Sequence, residues 1–118
     1  MVYQGFHMLL TLTEKVMSKK ITQESIRKFL DGVPFKKQNM EVVLDGRVCY
    51  LKLHRNKIAA IEDGELWIRN AGWFSNTTKE RLNGLPGVRI QQMKGNWYLN
   101  GSRWDGTPTR IGKLTVNS

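Results

Sequence analysis

Apolar residues recur at two different spacings along this chain, and the change of period marks out its elements. Between Lys19 and Gly32 the spacing is helical. Ile26, Phe29 and Leu30 fall at i, i+3 and i+4 and form one narrow apolar face, which predicts an amphipathic helix docked through those three residues. Thr22 reads as its N-cap, with Ile21 before the cap and Ile26 beyond it as a hydrophobic staple. Gly32 ends the helix and Pro34 prevents its continuation.

From Met40 the period becomes two. Met40–Leu44 and Arg47–Leu53 flank Asp45-Gly46, a dipeptide suited to the positive φ of a type I′ hairpin turn. In the second of these strands Cys49, Leu51 and Leu53 share one face, and Val48, Tyr50 and Lys52 share the other. Arg55-Asn56 reads as a tight turn, and Lys57–Glu62, Asp63-Gly64 and Glu65–Arg69 as another hairpin. Its second strand turns Leu66 and Ile68 inward and Trp67 and Arg69 outward.

A short helix interrupts the strands after Phe74. Thr77 and Glu80 have the spacing of a capping box, Gly84 follows as the residue beyond the C-terminus, and Pro86 blocks extension. Strand spacing then returns. Val88–Met93 and Asn96–Asn100 flank Lys94-Gly95, Asn100-Gly101 is a further turn, and Ser102-Arg103-Trp104 extends the sheet. Val88, Ile90, Trp97 and Leu99 are expected on the core face, with Arg89, Gln91, Asn96, Tyr98 and Asn100 on the other. Trp73, Trp97 and Trp104 are all expected in the core, because tryptophan is on average highly buried. A tail rich in Thr, Gly and Pro from Gly106 holds one short edge strand, Lys113–Val116. The expected fold is α+β: an antiparallel meander of about five strands with an N-terminal helix and a short inserted helix.

The 118 residues suit one domain, 1–118, long enough to bury a core without staples. Residues 1–16 read either as an extension upstream of a native start at Met17 or as an element docking on the sheet. Hydrophobic content of 40% and charged content of 25% are those of a globular chain. The charge balance changes the picture more. Nineteen Lys and Arg against ten Asp and Glu leave a formal charge of +9, which favours a polyanionic partner: nucleic acid, an acidic protein surface or an anionic membrane. No apolar run reaches the ~20 residues of a membrane-spanning helix. Cys49 is the one cysteine, so no disulfide forms within the chain, and a buried structural thiol is expected there.

Catalytic signatures are missing. His7 and His54 stand in no metal-ligand spacing with Cys49, and there is no Walker loop, G-x-G-x-x-G or G-x-S-x-G. Leu53-His54-Arg55-Asn56 lacks the further histidines or carboxylates of a metal-dependent nuclease. Glu62-Asp63-Gly64-Glu65 is a solvated turn before it is a cation site. No enzyme, cofactor or metal is expected. The candidate chemistry is a basic sheet face built from Lys79, Arg81, Arg89, Lys94, Tyr98 and Arg103, able to hold phosphates and stack a base. The amides opening the short helix, near Asn76 and Thr77, suit a phosphate as well.

Asn76–Val88, reading Asn-Thr-Thr-Lys-Glu-Arg-Leu-Asn-Gly-Leu-Pro-Gly-Val, and Trp97–Gly106, reading Trp-Tyr-Leu-Asn-Gly-Ser-Arg-Trp-Asp-Gly, resemble a family of short bacteriophage and prophage proteins. Leu51-Lys52-Leu53-His54 and Ala71-Gly72-Trp73 fit the same pattern, so the resemblance spans about residues 17–106 and leaves 107–118 as a tail. It brings no activity with it. It implies a phage-encoded accessory protein acting in the cytoplasm of a bacterial host. Two functions follow from the charge: binding of nucleic acid through phosphates, or inhibition of a host protein with an acidic surface.

Overall fold

The computed structural model describes residues 19–114. The extension 1–16, the start at Met17 and the far end of the expected strand Lys113–Val116 lie outside the described residues.

Among the described residues two antiparallel sheets and two helices share one core. Helix α1 covers residues 19–31 of the described chain. Then come β1 (Phe35–Lys37), β2 (Met40–Asp45), β3 (Val48–Leu53), β4 (Asn56–Glu62) and β5 (Glu65–Ile68). Helix α2 (Asn76–Asn83) follows, then β6 (Ile90–Met93), β7 (Asn96–Leu99), β8 (Ser102–Arg103) and β9 (Thr109–Lys113). The large sheet has six strands in the order β1-β2-β3-β4-β5-β9, and the small sheet three in the order β6-β7-β8. The expected meander is therefore present as β1 to β5. The sequence reading missed β1, and it placed the last strand too late: β9 runs over Thr109–Lys113 and pairs with β5.

The register separates two faces of the large sheet. Val42, Leu51, Ala59 and Ile68 lie side by side across β2 to β5 and are all buried. Val43, Tyr50, Ala60, Trp67 and Arg110 form the matching row on the opposite face. Helix α1 packs on the buried face, where the Cys49 thiol donates to the Phe29 carbonyl oxygen at 3.5 Å. Val88, Ile90, Trp97 and Leu99 of the small-sheet segment enter the same core.

Local turn chemistry explains three hairpins and corrects two. Asp63-Gly64, Lys94-Gly95 and Asn100-Gly101 each take positive φ at both positions, as type I′ turns require. The first hairpin loop is Gly46-Arg47 rather than Asp45-Gly46. Asp45 pairs with Val48, and Gly46 at φ +61 alone supplies the left-handed residue, as in a type II′ turn. The turn expected at Arg55-Asn56 is His54-Arg55, with φ of +48 and +69. Neither residue signals a turn in the sequence. Asn56 supports it from the next strand, its Nδ2 donating to the His54 carbonyl oxygen at 3.2 Å.

The helix caps and contact faces also differ from expectation. Thr22 lies inside α1, three residues after the described helix begins, so it is not an N-cap. The buried stripe of α1 is Ile21, Thr22, Ser25, Ile26 and Phe29, while Leu30 is exposed. Thr22 and Ser25 hide that stripe from a hydropathy pattern because they are polar. In α2 the N-cap is Ser75, whose hydroxyl accepts from the Thr78 amide at 3.1 Å, so Thr77 and Glu80 form no capping box. Gly84 caps the other end with φ −79, and its value is steric. A Cβ there would stand 2.4 Å from Ile26 Cδ1 and 2.8 Å from Thr22 Cγ2, so glycine lets α1 approach the end of α2. Trp97 and Trp104 are buried and stacked 6.2 Å apart, but Trp73 is 60% exposed and not in the core. It sits in the segment between β5 and α2, outside either sheet's alternation.

Candidate nucleic-acid interface

The small sheet owes its outer face to its register. Gln91 pairs with Tyr98 and Tyr98 with Arg103, while Met93 pairs with Asn96. These side chains stand opposite Ile90, Trp97 and Leu99, which face the core. Arg103 Nη2 donates to Asn96 Oδ1 at 2.9 Å, which fixes the guanidinium against the sheet through a neutral partner.

Two asparagines hold this sheet in place. Asn83, the last residue of α2, accepts from the Ile90 amide with Oδ1 at 2.6 Å and donates to the Ile90 carbonyl oxygen with Nδ2 at 3.0 Å. It pairs with β6 as another strand would. Asn100, just beyond β7, holds the segment that enters β6: its Oδ1 accepts from the Arg89 amide and its Nδ2 donates to the Gly87 carbonyl oxygen, each at 2.9 Å. Arg89 is thereby set at the start of β6. Sequence spacing gives no sign of either brace, although Asn-Gly at both positions marks residues that tolerate turn geometry.

The six residues expected on one basic face do not all meet. Arg89, Lys94 and Arg103 are exposed and Tyr98 is half-buried, and these four belong to the small sheet and its turn. Lys79 reaches β6 from α2, its Nζ donating to Gln92 Oε1 at 2.9 Å, and Gln92 stands on the parity of the core residues. Arg81 is 4% exposed and belongs to the interior. Its Nη1 donates to Thr22 Oγ1 at 2.8 Å and to Glu80 Oε2, and its Nη2 to Asn39 Oδ1 at 3.4 Å. Thr22 in turn donates into the Glu80 carboxylate, 2.7 and 2.8 Å from its two oxygens. One ionic network thus joins α1, α2 and the turn between β1 and β2. Helix α2 turns Thr78, Arg81 and Leu82 inward at i, i+3 and i+4, and the polar Thr22 on α1 receives the arginine.

Asn76 and Thr77 lie apart from the small-sheet face. Thr77 lines a pocket of about 270 Å³ with Leu53, His54, Ile58, Trp73 and Ser75, and Asn76 is exposed beside it.

Arg89, Lys94 and Arg103 are among the many cations that stand outside the ion pairs. Ion pairs among the described residues join Lys37 to Glu24, Arg81 to Glu80 and Arg110 to Glu65, and none includes Arg89, Lys94 or Arg103. Beside Arg103 an open groove of about 610 Å³ is lined by Phe74, Trp97, Trp104 and Asp105. Hydrogen bonds from the Thr107 hydroxyl and amide, both to Oδ1, hold the Asp105 carboxyl below its ordinary range and keep an anion in that groove. Among the described residues no group of three or more His, Cys, Asp or Glu side chains could hold a metal ion, and no helix is long and apolar enough to cross a membrane.

Residues 18–115 match a family model described as Kyanoviridae Gp96 protein. No curated protein and no solved structure matches the chain.

Proposed function

The chain belongs to the Kyanoviridae Gp96 protein family, and from that premise we propose that this phage protein is an accessory factor that binds nucleic acid in the host cytoplasm, through phosphates, on the outer face of its small sheet. The observation that carries the proposal is the row Gln91–Tyr98–Arg103, set in register and flanked by Arg89 and Lys94, with none of these cations in an ion pair. A net charge of +9 draws a polyanion towards it. Arginine and lysine meet phosphate oxygens without reading sequence, so little base preference is expected. Tyr98 offers a ring on which an unpaired base can stack.

Salt dependence tests this. Three engaged cations predict that log K falls against log salt with a slope of about −2 to −3, and Arg89→Ala should make it shallower by about one unit. Fluorescence anisotropy of a labelled oligonucleotide at several salt concentrations measures both. A slope near zero, or none of the expected change in Arg89→Ala, rejects phosphate binding on this face.

A protein partner is the second reading, and the exposed neighbours Trp73 and Phe74 favour it. Affinity capture from bacterial lysate with and without nuclease separates the two. A single nuclease-resistant protein partner lost on Trp73→Ala supports inhibition of a host protein, and nuclease-sensitive recovery supports nucleic acid.

A further inference from the structure

The open face of the large sheet carries a second, differently built site. Tyr50, Ala60 and Trp67 lie directly across β3, β4 and β5. Two interstrand spacings of about 4.8 Å separate the strands that bear the two rings, and the methyl of Ala60 makes a low floor between them. The groove so formed has a volume of about 360 Å³ and is also lined by Lys57, Arg69 and Pro108. That is at the small end of ligand-binding pockets, which begin at about 300 Å³.

Both cations of the groove are held in position. Lys57 Nζ stands 3.9 Å from the centroid of the Tyr50 ring. Arg69 donates through Nε to the Lys57 carbonyl oxygen at 2.7 Å. Among the described residues no carboxylate lines the groove. Two residues further along β4 and β5 on this face, Glu62 lies opposite Glu65, and Glu65 is paired with Arg110 at 2.5 Å, which also keeps its carboxyl below the ordinary range. Trp67 is 39% exposed on a sheet whose opposite face is core, so its indole is available to a planar group.

We infer that this groove binds one nucleotide unit of a single-stranded nucleic acid, its base stacked on Trp67 above Ala60 and its phosphate held by Lys57 and Arg69. The charge complementarity selects an anion, the aromatic wall selects a planar ring, and the volume admits one unit. A duplex cannot place a base there without unpairing it. The site is distinct from the small-sheet face, and a single strand is held by both, so the loss of either weakens it.

The test is anisotropy of a fluorescein-labelled eight-residue oligothymidylate, with the same sequence as a duplex and free thymidine monophosphate as competitors. Trp67→Ala should weaken the single strand about tenfold and the duplex little, while Trp67→Phe should retain most of the affinity. Lys57→Ala/Arg69→Ala should weaken the single strand and reduce its salt slope by about one to two units. Thermal melting confirms that each variant is folded. Competition by the monophosphate at concentrations far above those of the oligonucleotide fits the inference. Competition at equal concentration would make a free nucleotide the occupant and overturn it. Unchanged single-strand binding in Trp67→Ala overturns it too, and a dimer that this variant converts to monomer would identify the face as a self-association surface. Loss of binding in an Arg89→Glu/Arg103→Glu variant but not in Trp67→Ala removes the groove and keeps the small-sheet face. The reverse pattern does the opposite.

Discussion

Arg81→Met is a sharp test of the interior network. The side chain keeps its length and apolar stem and loses its charge and donors. Arg81 is 4% exposed, so none of its bonds to Thr22, Glu80 and Asn39 is freely replaced by water at the same place. Removing one partner of a fully buried pair costs about 3–5 kcal/mol, mostly from the charge left behind. Here that charge is Glu80, whose side chain is 37% exposed and partly hydrated, so the expected loss is lower, about 2–4 kcal/mol. At this chain length the midpoint of thermal unfolding should fall by about 10 °C. Urea unfolding followed by circular dichroism measures the loss, with an unchanged m-value showing that the native state is still compact. Thr22→Val in the Arg81→Met background should cost less than in wild type, because the two residues share one network. A loss below about half a kcal/mol would refute the network as a stabilising element, and weakened oligonucleotide binding with full stability would return Arg81 to the binding surface.

Gly106→Ala should be severe, about 3 kcal/mol or more, because φ is +86 and the added Cβ would stand 2.2 Å from Asn70 Oδ1; chemical denaturation reads it. Gly84→Ala should cost about 1–3 kcal/mol by pressing on Thr22 and Ile26, and Ile26→Ala in the same background should recover part of it. Burial pushes the Cys49 thiol above its ordinary pKa, so the folded chain keeps a proton that the unfolded chain gives up. The stability this contributes is whole below the ordinary thiol pKa and is lost as pH rises through the folded value. The urea midpoint of wild type relative to Cys49→Ala should therefore drop from pH 8 to pH 10, and a constant difference would contradict it.

Much of the large sheet was legible because one of its faces is buried, which imposes a period of two on β2 to β5. The glycine-bearing turns at Gly64, Gly95 and Gly101 were legible for the same local reason. What escaped was decided by tertiary contact. Thr22 looked like a cap because threonine favours that place, yet its hydroxyl serves Glu80 and Arg81 across the core. Arg81 looked like surface because arginine usually is, and only the approach of α1 made it interior. β1 was too short and too basic to show a period, and β9 depends on finding the free edge of β5. Of the basic face, Arg89, Lys94, Tyr98 and Arg103 could be placed together from strand alternation. Lys79 and Arg81 could not, because the rotation of α2 about its axis is set by Asn83 and Thr78 rather than by its weak apolar pattern.

The most direct measurement is the low-salt affinity of the Arg89→Glu/Arg103→Glu variant for a labelled single strand and duplex, beside wild type and Arg81→Met. Phosphate binding on the small sheet predicts that charge reversal weakens both nucleic acids at least tenfold, whereas Arg81→Met, held at a temperature where it is folded, binds as wild type does. Equal binding by wild type and the charge-reversed variant, or no binding by wild type at low salt, would contradict it.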